Sequence, residues 1–317
     1  MPVSRGRRRA KRHSAYGRTS PQLVSGKLNI ESMFDRAKHA RRPKGPRVLY
    51  HYTTWEAAES IIASQRFRAT AHSCTNDPGE LTSVDATILD AFAAAHARAT
   101  GMTARLLQLF LKTYEHSRIS ASPRCYLICF SQTRDDGYQW GEYGVCGTGV
   151  CLGLRLFDIP EPKIPALASL FMPVQYLESE WRSKFDGWLD SFVDVFSLGN
   201  DTEHNWRLAL DSLTVTTTAW ALTAKVPKWE PEQEVRMIFL VREGASVQPT
   251  EEIRSDGTVK CYLTVPVTAL RRMPVVEIIV GPNCNPATGR ERAIRMLDAA
   301  GYHDAESKVV VSNCSHT

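Results

Sequence analysis

Apolar positions along this chain fall into short continuous runs and longer helical stripes, and the two kinds alternate irregularly. Residues 48–52 (VLYHY) read as a strand. Thr53 or Thr54 then caps a helix running to about residue 63, with Glu56 and Glu59 in its early turns, where acids suit the helix dipole. Residues 67–70 make a second short strand before the polar turn 75–80 (TNDPGE). Residues 81–115 carry Ala, Leu and Phe at helical spacing, which gives two helices broken near Thr100-Gly101. The runs 124–131, 149–156 and 172–177 predict strands, and 181–222 reads as helical with an interruption around 199–201. Further strands follow at 234–241, 260–265 and 275–281, then a helix at 290–300 closed by Gly301 and a last strand at 308–311. No segment repeats. Strands and helices mix without regular βαβ alternation, so the pattern predicts an α+β fold rather than a doubly wound sheet.

Ahead of residue 47 the pattern changes. Residues 1–27 are rich in Arg, Ser and Gly and offer no apolar stripe, which predicts disorder; 29–40 could form a short helix before the Pro-Gly-rich break that follows. Residues 1–47 hold fourteen Lys or Arg against two acids, a net of +12, while the remaining 270 hold 25 basic and 32 acidic side chains, a net of −7. The overall +5 therefore hides a basic tail (1–46) on a mildly acidic body (47–317), read as one domain. The cluster Arg7-Arg8-Arg9-Ala10-Lys11-Arg12 could contact nucleic acid or an anionic surface through counterion release, or stay a solvated tail. The Arg-rich start lacks the apolar segment of a signal peptide, and no run of about 18 apolar residues occurs to span a membrane. The eight cysteines form no C-x-x-C pair and have no neighbouring His at zinc spacing, so they read as reduced thiols and point to a cytoplasmic protein without a metal.

Candidate chemistry concentrates late in the chain. Trp229-Glu230-Pro231-Glu232-Gln233-Glu234-Val235-Arg236 leads directly into the apolar run 237–241, and alternation along a strand would put the carboxylates of Glu232 and Glu234 on one face. A solvated acidic turn before a strand would look much the same. Upstream, His51 stands where a strand gives way to a helix and could donate to a hydroxyl through one ring nitrogen while the backbone fixes the other; a core histidine satisfied by a carbonyl is the plainer alternative. Tyr50 and Tyr52 share that ambiguity. Asn76 opens a turn that would need to fold over a cleft to matter. Trp140 and Tyr143, three apart, share a face of a helical turn and could stack on a planar heterocycle or simply pack. No G-x-G-x-x-G, Walker loop, G-x-S-x-G or H-E-x-x-H is present, which leaves Rossmann, P-loop, serine-hydrolase and zinc-hydrolase readings without support.

Taken in order, Tyr50-His51-Tyr52-Thr53-Thr54, Asn76-Asp77-Pro78-x-Glu80, Cys129-Phe130-Ser131, Trp140-x-x-Tyr143 and Lys225-x₃-Trp229-x-x-Glu232-x-Glu234-x-Arg236 resemble one large bacterial protein family. That family is itself similar to ADP-ribosyltransferases of the His-Tyr-Glu type. The strand 278–280 with Gly281-Pro282 fits it too, so the resemblance covers roughly residues 47–285. It implies a pair of packed, split sheets clasping NAD between them, and transfer of ADP-ribose to a macromolecule, protein or nucleic acid, as a toxin, effector or phage-defence component does. His51 would contact ribose hydroxyls, with Tyr52, Ser131 and Asn76 as further NAD-binding positions. Tyr143 would stack on nicotinamide with Trp140 supporting it, Glu234 would be the catalytic acid, and Glu232 the first acid of the pair. A catalytically idle binding module of the same fold, or a nucleic-acid-binding protein working through its tail, are the competing expectations.

Overall fold

The computed structural model describes residues 48–75, 83–120, 125–156, 167–197, 203–241, 246–253, 257–266, 268 and 270–315. The basic tail, its expected helix and the Asn76 turn lie outside these residues. The chain opens with β1 (Leu49–Thr53), α1 (Trp55–Ser64) and β2 (Phe67–Ala71), then α2 (Asp85–Arg98) and α3 (Gly101–Ser120). The Thr54 hydroxyl caps α1 by accepting from the Ala57 amide. Next come β3 (Cys125–Ser131), α4 (Gly137–Glu142), β4 (Val150–Leu154), β5 (Leu167–Pro173), α5 (Glu178–Ser197) and α6 (Glu203–Ala221). The chain closes with β6 (Glu234–Val241), β7 (Thr250–Ile253), β8 (Val259–Val265), β9 (Val275–Val280), α7 (Pro286–Ala299), α8 (Ala305–Lys308) and β10 (Val309–Val311). Among the described residues no helix is long and apolar enough to cross a membrane.

The ten strands form one mixed sheet with a helical layer on each face. This explains the unbroken apolar run 237–241 of β6: Met237 and Phe239, with Val235 before them, enter one core, and Ile238 and Leu240 the other. The first core lies under α1, α7 and α8. The second lies under α2, α3, α5 and α6, where Trp181, Phe185, Leu189, Phe192 and Phe196 form the buried stripe of α5. Burying each such side chain is worth about 1.5–3 kcal/mol. A smaller cluster on that same side, Tyr50, Tyr52, Trp140, Cys151 and Ile279, sits beneath α4.

One edge of β3 pairs with β6 along its whole length, from Cys125↔Leu240 to Ser131↔Glu234. Its other edge is divided between two strands: β1 meets it at Tyr50↔Ser131, and β2 at Thr70↔Leu127 and Ala71↔Tyr126. The arms β1-β4-β9-β10 and β2-β8-β7 therefore diverge from one strand, and the sheet forks. The resemblance led to two packed sheets; the observed sheet stays continuous because both arms keep hydrogen bonds to β3.

Two strands depart from the sequence pattern. β5 lies a few residues earlier than the run 172–177, held in antiparallel register on β6 from Leu167↔Val241 to Pro173↔Val235. β7 escaped the pattern because it is an edge strand whose four residues are all exposed, leaving no apolar alternation to read. The parallel β9–β10 pair, bridged by α7 and α8, is the one such unit among the described strands.

Candidate active site

Side chains alternate along β3, so Cys129 and Ser131 fall on the same face as Cys125 and Leu127, beyond the edge of the second core. Across the ladder Cys129 opposes Arg236 and Ser131 opposes Glu234. The region of the sheet face between the helical layer and α4 is thus lined by polar groups rather than closed by apolar ones.

Glu232 reaches this place by a different route from the one alternation suggests. It ends a 3₁₀ turn, Pro227–Glu232, and Gln233 then takes a left-handed conformation with φ 44° before β6 begins at Glu234. The two acids are brought together by a third residue: the Lys225 ammonium lies 2.6 Å from Glu232 Oε2 and 2.9 Å from Glu234 Oε2. Around them the Tyr143 hydroxyl donates to Glu232 Oε1 at 2.5 Å, and Ser131 Oγ and Gln139 Nε2 donate to the Glu232 carbonyl at 2.8 and 2.9 Å. Arg236 donates to both oxygens of Glu234, from Nε at 2.8 Å and Nη2 at 3.0 Å, and to the Leu222 carbonyl through Nη1. The Glu234 amide donates to Tyr176 Oη at 2.8 Å. Glu232 and Glu234 are only 3% and 4% exposed.

Electrostatics follow from this packing. Burial alone would raise the Glu234 carboxyl, but the Arg236 and Lys225 charges overcome it and hold the group down to about 2, so it is ionised. The Tyr143 phenol is pushed up, by burial first and then by its bond to Glu232, and stays protonated. Burial, reinforced by the Glu234 charge, keeps Cys129 as a neutral thiol. The Cys129 side chain is exposed on this face of the sheet.

His51 stands in the fork. Its ring lies edge-on to Phe67 at 5.1 Å and tilted on Phe130 at 5.8 Å, and Nδ1 is 2.9 Å from the Cys129 carbonyl. Burial lowers the imidazole below its ordinary value, the carbonyl bond opposing weakly, so the ring is neutral at pH 7. A carbonyl only accepts, which assigns the proton to Nδ1 and leaves Nε2 as an acceptor. His51 would therefore receive a hydrogen bond from a hydroxyl rather than donate one, the reverse of the role its sequence setting suggested.

Of the other sequence-derived positions, Ser131 and Tyr143 join the acids in the network. Tyr52 and Trp140 stand behind it: Tyr52 Oη donates to the Thr133 carbonyl at 3.0 Å and accepts from the Asp136 amide at 3.1 Å, while Trp140 is fully buried, edge-on to Tyr52 at 4.9 Å with Nε1 donating to Asp135. Trp140 and Tyr143 do not present one aromatic face, because Tyr143 is the C-cap of α4 and 37% exposed. Lys225, Gln139 and Cys129 were not among the positions assigned from sequence. Lys225 and Cys129 did carry a signal, Lys225 seven residues before Glu232 in the same motif and Cys129 in the motif that ends at Ser131; Gln139 carried none. Compared with protein-family models, curated proteins and solved structures, the chain finds no match.

Proposed function

We propose that the protein is an NAD-dependent mono-ADP-ribosyltransferase acting on a macromolecule, with its site at the fork of the sheet. One observation carries the reading. Ser131 and Tyr143 join Glu232 and Glu234, from a distant part of the sequence, in one bonded network beside the exposed Cys129, whose carbonyl meets His51 Nδ1. Breaking the nicotinamide–ribose bond builds positive charge on the ribose, and an ionised carboxylate in a water-poor site stabilises such charge. Glu234 is the ionised group, the half-open Tyr143 ring a wall for a planar base, and His51 Nε2 an acceptor for a ribose hydroxyl. Glu232 would orient the acceptor nucleophile.

A specific observation favours a second reading, an idle nucleotide-binding module. Both oxygens of Glu234 already accept from Arg236, and Lys225 adds a third charged contact, so the carboxylate is balanced within the fold. Incubation with labelled NAD and cell lysate separates the two. Nicotinamide release and label on a macromolecule, both falling about 10²–10³-fold in Glu234→Gln, support the transferase. NAD binding, seen as a raised Tm, without turnover favours the module. No binding at millimolar NAD overturns both.

A further inference from the structure

Lys225 is nearly buried, as are the two acids it touches, with side chains 9%, 3% and 6% exposed for Lys225, Glu232 and Glu234. Two carboxylates held within reach of one ammonium and shielded from water repel each other, and in such pairs one ordinarily takes up a proton. Here both lie at ion-pair distance from Lys225, and Arg236 saturates Glu234. Among the described residues Glu232 has no such second cation; its side chain meets Lys225 and the Tyr143 hydroxyl. The other titratable groups facing the pair are Cys129 from β3, Tyr138 from α4 and Tyr176 from the segment after β5, and none of these carries positive charge.

We propose that Lys225 is a positioning residue: its ammonium clamps Glu232 and Glu234 together and, through Glu232, fixes the Tyr143 ring at the site. Glu232 Oε1 accepts from the Tyr143 phenol, so a displaced Glu232 carboxylate releases the ring. The consequence for NAD rests on the function proposed above; the clamp itself does not.

Lys225→Met removes the ammonium and keeps most of the length of the side chain. In that variant the two buried carboxylates face each other without their shared counter-ion, and a like-charge pair of this kind destabilises the fold as pH rises and both lose their protons. Lys225→Met should therefore lose about 5–10 °C of Tm between pH 5 and pH 8, a loss absent from the wild-type protein. Lys225→Met/Glu232→Gln, which leaves the balanced Glu234–Arg236 pair, should regain the wild-type profile, and Lys225→Arg should stay close to wild type. NAD binding by Lys225→Met should weaken about tenfold or more at pH 8, in line with the loss of a buried charge-assisted contact. A Lys225→Met profile parallel to wild type, or a double variant that fails to fold or falls as steeply as the single one, overturns the clamp. A wild-type protein whose Tm ignores NAD overturns the proposed function instead, and the Tm profiles still decide the clamp.

Discussion

Glu234 and His51 show how burial and partners set different charge states on strands flanking β3. Glu234 is held ionised by cations, and His51 is held neutral by burial. Glu234→Gln leaves Arg236 buried without its carboxylate, a change that typically costs about 3–5 kcal/mol. With a folded value of about 2 against an ordinary 4.5, Glu234 contributes stability that is complete above pH 4.5 and is lost as pH falls toward 2; acid titration of the variant should show a shallower loss. For His51 the unfolded chain binds the proton more readily than the fold. Stability should therefore fall as pH drops below the ordinary value of 6.5, and His51→Gln should remove that part of the slope in a Tm series from pH 7.5 to 5. Glu232, Glu234 and His51 stood out as candidates from local motifs. Their charge states were not legible there, because these depend on Lys225 and Arg236 for the acids and on Phe67 and Phe130 for the histidine.

At the scale of elements, the segment after α4 acts as a platform for Tyr143. Val145 and Cys146 are both left-handed, with φ of 53° and 50°, a conformation unusual for a β-branched residue. The turn is locked by Thr148 Oγ1 and N on the Val145 carbonyl, by Gly149 N on Gly144, and by Asn283, whose side chain donates to the Cys146 carbonyl at 2.7 Å. Gly281 closes the contact from β9: a Cβ there would stand 2.2 Å from the Gly147 carbonyl oxygen. Gly281→Ala must displace backbone rather than a flexible side chain. It should cost about 1–3 kcal/mol, read as a fall in Tm, and should weaken any ligand effect that depends on Tyr143. Strong periodicity made most elements readable in advance, as for the aromatic stripe of α5. The 3₁₀ turn at Pro227–Glu232 was not, since an acidic turn and a strand edge share one composition and only the left-handed Gln233 separates them.

For the whole molecule, the charge asymmetry makes the tail separable from the body. Deleting residues 1–46 should leave a folded protein with unchanged Tm, since those residues offer little apolar area to bury. Binding to polyanions should fall and lose its salt dependence, because about one counterion is released for each phosphate neutralised. A drop in Tm would place the tail in contact with the body. Local sequence pattern determined by itself the mixed helix-and-strand character, the two helices of 81–115, the central strands β3 and β6, the cap at Thr54 to within one residue and the end at Gly301, because each depends on neighbours within a few residues. Tertiary structure alone decided the fork at β3, the pairing of the exposed strand β7 and the meeting of Glu232, Glu234 and Tyr143 around Lys225. Those features rest on contacts between segments far apart in the chain, and no local pattern records which edge a strand will take or which cation will neutralise a buried acid.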